Sequence, residues 1–393
     1  MKILHVIANL APRYGGPGKA CLEMARAVAR LGHEVSIYTT NQDDPGVLPV
    51  PLDRSVWQDG VEIRYFPIQF PRYWGTSWPL ARALARRSKE SDLCHIHNLH
   101  LFHGLMAGHY CRKYGVPYLV QPHGALDPFI YRRHRRRKAI MEAWFENRNI
   151  KGAAAVLFTS AEERELAKPH LFGTPGAVVP LGLELSAYQE LPAPGAFRER
   201  YPEIGAKKII LFLGRINFKK GLDLLVQALA QVVRLRRDVH LVVAGPDNDG
   251  WGARVKVWLK EAGLEDYATF PGMLLGEDKL AVLRDSQIFA LSSYSENFGI
   301  AVIEAMACGL PVVISDKVNI WREVDAAGAG LVVPCDPAPL AENLERLLAD
   351  PGLAAEMGQR GKELVAQSFQ WDGVALALQD LYVDIIANHH KNR

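Results

Sequence analysis

Cysteine is scarce and scattered in this chain of 393 residues: Cys21, Cys94, Cys111, Cys308 and Cys335, an odd set with no C-x-x-C pair. Such a set argues against a disulfide framework or a thiolate metal site and suits a reducing compartment. Long apolar runs are lacking as well. None approaches the ~18 residues of a spanning helix, and the opening Met1-Lys2-Ile3-Leu4-His5-Val6-Ile7-Ala8 is apolar only briefly before Asn9 and Pro12. Without a signal-peptide cleavage region it reads as a first buried strand, and the expected location is cytoplasmic. Charge of one sign is also missing. A net charge of +3 leaves no global field for nucleic acid, so none is expected as a partner and charge arguments must be local.

What is present is the balance of a globular protein with full cores, 49% hydrophobic and 23% charged. The length favours two domains. Short apolar runs at residues 3–8, 34–39, 61–66, 93–97 and 118–121 read as strands. Helical patterns fall between several of them, at 17–31, 79–87 and 102–114. The rhythm pauses over 181–206, which holds Pro180, Pro192, Pro194, Gly195 and Pro202 at or near its bounds. It then restarts with strands at 208–213, 239–244, 268–270, 288–291, 311–314 and 330–333. Near-continuous apolar strands alternating with helices predict parallel sheets covered on both faces. The expected fold class is therefore α/β: two doubly wound Rossmann-like domains with ligand held in a crevice beyond the carboxyl ends of the strands. The boundaries are an N-terminal domain over 1–185 and a C-terminal domain over 206–370. Periodicity leaves open which domain the final helix joins.

Three segments carry chemistry. The first strand runs into Gly15-Gly16-Pro17-Gly18 before a helix, a turn where backbone can approach an anion, although the dinucleotide fingerprint G-x-G-x-x-G is not matched. The second domain opens Leu213-Gly214-Arg215-Ile216-Asn217-Phe218-Lys219-Lys220-Gly221. Arg215 and Lys220 there stand at a βα junction, where fixed cations hold a diphosphate; a solvated basic turn is the plain alternative. The third is Ser295-Glu296-Asn297-Phe298-Gly299-Ile300-Ala301-Val302-Ile303-Glu304-Ala305-Met306. It offers a loop carboxylate, free helix amides and a second carboxylate among apolar neighbours, where an ionised group needs a partner.

These residues resemble the retaining glycosyltransferases of family 4. The Glu–seven residues–Glu element from Glu296 to Glu304, Gly214-Arg215 with Lys220-Gly221, Gly15-Gly16 and the Pro122-His123-Gly124 turn fall in that family's order, across nearly the whole chain. The resemblance implies the GT-B architecture with an interdomain cleft and a last helix, 372–390, that returns to the N-terminal domain. It implies that Arg215 and Lys220 contact the donor diphosphate, and that Gly15 and Gly16 approach it. Glu296 and the backbone of Phe298, Gly299 and Ile300 would hold the transferred sugar, Glu304 the ribose and Met273 the base by its backbone. His123 matches the histidine near the reacting carbon, so the catalytic set is His123, Arg215, Lys220 and Glu296. The implied activity is retaining transfer from a nucleotide diphosphate sugar to a glycan or lipid-linked acceptor in polysaccharide biosynthesis. The alternatives are a GT-B epimerase or phosphorylase, or a nonenzymatic nucleotide-sugar binder.

Other signals weigh less. Asp247-Asn248-Asp249 has the D-x-D form of metal-dependent transferases, but a turn after Gly245-Pro246 explains it, and no metal or other cofactor is expected. His95 and His97 share a strand face, yet no cysteine or acidic cluster nearby in the sequence completes a site. His97 and Asn98 are instead expected to line the acceptor side. The run Arg132-Arg133-His134-Arg135-Arg136-Arg137-Lys138 leads into an amphipathic segment. Arg135 and Arg136 are acceptor-side candidates, and residues 131–145 are a candidate for peripheral contact with an anionic membrane at its inner face, against the plain alternative of a solvated helix face.

Overall fold

The computed structural model describes residues 1–391 except 134 and 248. The chain forms two compact units. Unit 1 takes Met1–Gly182 and the chain from Trp371 onward; unit 2 is Leu183–Gln370.

In unit 1 the strands are β1 (Lys2–Asn9), β2 (Glu34–Thr40), β5 (Ser55–Gln58), β6 (Val61–Phe66), β7 (Leu93–His97), β8 (Tyr118–Gln121), β9 (Ala155–Phe158) and β10 (Gly176–Val178). A separate ribbon pairs β3 (Gln42–Asp43) with β4 (Gly46–Val47). The sheet order is β10-β9-β8-β7-β1-β2-β6-β5, and its pairings are parallel except β5 with β6. Outside the predicted set lie β9, β10, the β3–β4 ribbon and the short edge strand β5. The side chains of β5 are largely exposed, so it carries no buried apolar run to mark it. β1 runs centrally, pairing Ile3 with Val35 on one side and with Leu93 on the other. It reads as a continuous apolar run because both of its faces are covered. Chain order reverses across the β1–β7 neighbours, so the loops after these two strands diverge and leave a crevice at their carboxyl ends.

The helix Gly16–Arg30 buries Ala20, Met24, Ala27 and Val28. It packs with the last helix, Trp371–Lys391, which lies in unit 1 and buries Val374, Leu378, Tyr382 and Ile385 there. Polar contacts fasten that helix near its middle and at its carboxyl end: His33 Nε2 meets Gln379 Oε1 at 2.8 Å, and His389 Nε2 meets the Gly115 carbonyl at 2.8 Å.

Unit 2 holds β11 (Lys208–Leu213), β12 (Val239–Ala244), β13 (Ala268–Gly272), β14 (Ile288–Leu291), β15 (Val312–Ser315) and β16 (Gly330–Val333). Their order is β13-β12-β11-β14-β15-β16, all parallel, with the reversal between β11 and β14. The proline-bearing stretch after Gly182 is folded onto this unit rather than loose. The Asp285 carboxylate accepts from the backbone N–H of Gly195 at 2.6 Å and of Phe197 at 2.9 Å. Among the described residues no helix is long and apolar enough to cross a membrane.

Candidate functional site

The reversal point of unit 2 collects its candidate residues. After β11 the chain leaves through Gly214 and Arg215 to Asn217, whose side chain accepts from the Lys219 N–H at 3.2 Å and starts a short 3-10 turn, Phe218–Lys220. Gly221 closes the turn at φ +62, and a Cβ there would lie 1.9 Å from the Ser292 carbonyl oxygen. Only glycine tolerates both the backbone angle and that approach. The loop after β14 is laced to the same turn. Ser292 Oγ donates to the Gly221 carbonyl at 2.7 Å, and the Tyr294 N–H donates to the Lys219 carbonyl at 2.7 Å. Neighbouring strands thus deliver Lys220 against Glu296, and the two form an ion pair.

Glu296 is held by its backbone as well, donating to the Lys317 carbonyl at 2.9 Å and accepting from the Asn319 N–H at 3.0 Å. Burial alone would raise its carboxyl. The Lys220 ammonium, with Lys219 and Arg215 behind it, outweighs burial and holds the pKa at about 2. Arg215 itself is exposed. Gly299, in the left-handed region at φ +85, caps the helix Ile300–Ala307. Phe298 is buried with its ring edge-on to Phe369 at 5.6 Å, so only its main chain is free to meet a ligand. Met273 follows β13 and is exposed.

Glu304 is 5% exposed and has the partners that its apolar neighbourhood demanded: the Tyr188 hydroxyl donates to it at 3.0 Å and Lys279 Nζ at 2.9 Å. The structure therefore brings Arg215, Lys220 and Glu296 into one electrostatic cluster and gives Glu304 a different set of partners. Sequence reasoning missed Lys279 and Tyr188. Nothing in their spacing links them to Glu304, which meets them through tertiary packing.

In unit 1 the candidates also stand at strand ends. Gly15, at φ +80, caps the helix that begins at Gly16. His123 follows β8 at φ +50, in a turn fixed by Glu163, whose carboxylate accepts from the Gly124 N–H at 2.7 Å and the Thr159 N–H at 2.8 Å. His97 corrects its expectation. It ends β7 but is fully buried, so it lines no surface; its ring sits between His5 and His123, with Nε2 2.9 Å from His5 Nδ1 and Nδ1 2.9 Å from His123 Nε2. Asn98 beyond it is partly exposed at φ +65. A second correction concerns Cys21. The helix after β1 brings its thiol to His5 and His97, with all three potential ligand atoms within 4.8 Å of one another. With no cation beside it among the described residues, burial raises the thiol pKa well above its ordinary value and keeps it protonated.

Arg135 and Arg136 are exposed on the helix Arg135–Met141, and Arg137 lies over the Tyr73 ring at 4.3 Å. Trp144, 63% exposed, stacks on Trp74 with ring centroids 5.7 Å apart. His134 of the basic run and Asn248 of the D-x-D run lie outside the described residues. Asp247 is engaged: its carboxylate accepts from the N–H groups of Trp251 at 2.8 Å and Gly252 at 2.9 Å, capping a helix.

Comparison with known proteins meets this geometry. The family described as glycosyl transferases group 1 matches residues 196–364, and the glycosyl transferase 4-like domain matches residues 15–182. The chain belongs to this glycosyltransferase family. Its curated relatives include a D-inositol 3-phosphate glycosyltransferase of Streptomyces bingchenggensis, 29% identical, covering 96% of this chain and 87% of the relative. Another is a GDP-mannose:cellobiosyl-diphosphopolyprenol alpha-mannosyltransferase of Xanthomonas oryzae pv. oryzae, 26% identical over 89% of this chain and 87% of the relative. Solved structures with the same fold include sucrose-phosphate synthase from Thermosynechococcus elongatus, TM-score 0.78 at 23% identity, covering 99% of this chain and 100% of that one. HepE from Anabaena in complex with UDP-glucose matches with TM-score 0.77 at 18% identity, over 98% and 100%. The glycosyltransferase thus has GT-B architecture, and its activity is glycosyl transfer from a nucleotide sugar. The epimerase, phosphorylase and binder alternatives find no support in these matches.

Proposed function

We propose that this glycosyltransferase acts with retention of configuration and that its unit 2 holds the donor at the β11/β14 reversal. One observation carries the reading: two loops from neighbouring strands are locked together so that Lys220 and Glu296 meet beside Arg215. In this assignment Arg215 and Lys220 bind the diphosphate, and Glu296 with the main chain at Phe298, Gly299 and Ile300 binds the transferred sugar. Glu304 takes a ribose hydroxyl and the Met273 backbone takes the base. For Gly15, Gly16 and His123 of unit 1 we keep the roles that the family resemblance implies, backbone for the diphosphate at the two glycines and a hydrogen bond to the sugar at His123.

The acceptor hydroxyl bonds to the anomeric carbon on the face from which the diphosphate departs. The bond from that carbon to the phosphate oxygen breaks with its electron pair, and the hydroxyl proton leaves on the diphosphate. Arg215 and Lys220 stabilise the charge that collects there. Glu296 is a poor covalent nucleophile in this reading, because its charge is already committed to Lys220. No metal is required, since fixed cations do that work and Asp247 is engaged as a helix cap.

A lipid-linked acceptor is the class we favour, because a curated relative is named for a diphosphopolyprenol acceptor and because Arg135, Arg136 and Trp144 are each exposed in one short basic and aromatic segment. The same segment, residues 131–145, would hold the enzyme peripherally to an anionic bilayer. The test is donor hydrolysis against a panel of nucleotide sugars, with Arg215→Ala beside the wild type. Turnover of one donor, falling by about 10²–10³-fold in the variant without loss of folding, supports the assignment. Turnover untouched by Arg215→Ala overturns it.

A further inference from the structure

The reading of His123 as a group at the sugar leaves its protonation unspecified, and the structure behind it supplies that. His5 on β1 and His95 and His97 on the adjacent β7 project to one place. Their ring centroids are 4.1 Å apart for His95–His97 and 5.2 Å for His5–His97, and the stack continues to His123 at 5.2 Å. His5 and His97 are fully buried, whereas His123 is partly exposed. The hydrogen bonds run in line: His5 Nδ1 to His97 Nε2, then His97 Nδ1 to His123 Nε2, each 2.9 Å.

A chain of neutral imidazoles has two self-consistent directions, because each ring carries one N–H and one lone pair. With protons running inward, from His123 to His97 to His5, the chain ends on a buried His5 Nε2–H, and that nitrogen has no hydrogen-bond partner. With protons running outward, His5 Nε2 is instead a lone pair, an unsatisfied acceptor rather than an unsatisfied donor. An orphaned buried N–H is rarer and costlier than an under-satisfied acceptor. Outward is therefore the favoured direction. Burial lowers the pKa of all three rings, which keeps them neutral in either direction. An ion held by His5, Cys21 and His97 would take one of the two His97 nitrogens, both of which are engaged in the chain, and so would break one of its bonds.

We infer that His5 and His97 are positioning residues that lock His123 as the neutral Nδ1–H tautomer, so that unit 1 presents a directed, uncharged hydrogen-bond donor rather than an acceptor or a cation. The role of that donor rests on the proposed function of His123; the tautomer itself does not. Long-range proton–nitrogen correlation spectra of the full chain, labelled with ¹⁵N-histidine and recorded at neutral pH, read the state directly. Nδ1–H patterns for His5, His97 and His123 are expected. An Nε2–H or imidazolium pattern at His123, or stoichiometric zinc in the purified protein, overturns the inference.

Two variants connect the tautomer to turnover. Asparagine at position 97 can place its amide N–H where Nδ1–H stands, whereas leucine cannot. His97→Asn is expected to keep most of kcat and His97→Leu to lose about 10–100-fold with the donor KM little changed. Equal losses in both variants overturn the positioning role. Should His97→Leu fail to fold, the spectrum of His97→Asn still decides, with His123 expected to stay Nδ1–H. If no nucleotide sugar is turned over while the Nδ1–H patterns are present, the functional reading fails and the tautomer inference stands.

Discussion

Lys220 and Glu296, 76 residues apart in sequence, form an ion pair at the reversal point of the unit 2 sheet, with side chains only 10% and 15% exposed. At that burial the pair behaves differently from a surface salt bridge, because either charge alone would be left poorly solvated. The pair is also poised for use. A diphosphate would offer Lys220 a second anion and release part of Glu296 for a sugar hydroxyl.

Lys220→Ala strands the Glu296 carboxylate and is expected to cost about 3 kcal/mol of stability. Lys220→Ala with Glu296→Ala should recover much of that while remaining inactive. Urea unfolding of both single variants and the double variant measures the coupling. Additive losses would show that the pair contributes nothing jointly.

Gly221→Ala is expected to destabilise strongly, by more than about 3 kcal/mol, and to lower donor turnover, because the new methyl meets the Ser292 carbonyl. Gly250 is a matched control. It lies in the same left-handed region, at φ +71, but an added Cβ there meets nothing within 4 Å, so Gly250→Ala should cost only about 1 kcal/mol of backbone strain. Thermal melts of the two variants compare clash with strain.

Acid should weaken unit 1 from its histidines. Burial lowers His5 and His123 from the ordinary 6.5 to about 3, and lowers His95 and His97 too. Groups with depressed folded pKa values stabilise fully above their unfolded pKa and lose that contribution as pH falls towards the folded value. The loss begins near pH 6.5 and amounts to roughly 2 kcal/mol at pH 5 for His5 alone. Glu296 adds a later loss as pH falls from 4.5 to about 2. A urea midpoint that is the same at pH 7.5 and pH 5 would contradict the histidine assignment.

Chelation should leave donor hydrolysis unchanged after metal is stripped and the buffer exchanged. Loss of activity restored by magnesium or manganese would instead make Asp247 and its neighbours a metal site.

Flotation with anionic vesicles should carry the wild-type chain upward at low salt, and Arg135→Glu with Arg136→Glu and Arg137→Glu should abolish it. Failure of the wild type to float removes the membrane contact while leaving the donor assignment intact.

Much of the alternation of strands and helices was legible, although the buried apolar run of β9 and the short β10 were passed over. β6, β7, β8, β11, β12, β14 and β16 fall on the apolar runs at 61–66, 93–97, 118–121, 208–213, 239–244, 288–291 and 330–333. Burial on both faces writes itself into the sequence as an unbroken apolar run. Arg215, Lys220, Glu296 and Glu304 were legible through their order and local context. β5 escaped notice because an exposed edge strand has no such run. The role of His97 was misread because a strand's end resembles a surface until its neighbours cover it.

The sequence by itself determined the local elements, the two βα series and the residue types placed at strand ends, since these follow from periodicity and turn chemistry over a few residues. Tertiary structure alone decided which side chains meet: Glu304 with Tyr188 across 116 positions, and His5 with His97 across 92. Those pairings depend on which strands become neighbours in the sheet, and strand order is set by packing of the whole unit rather than by any short stretch of chain.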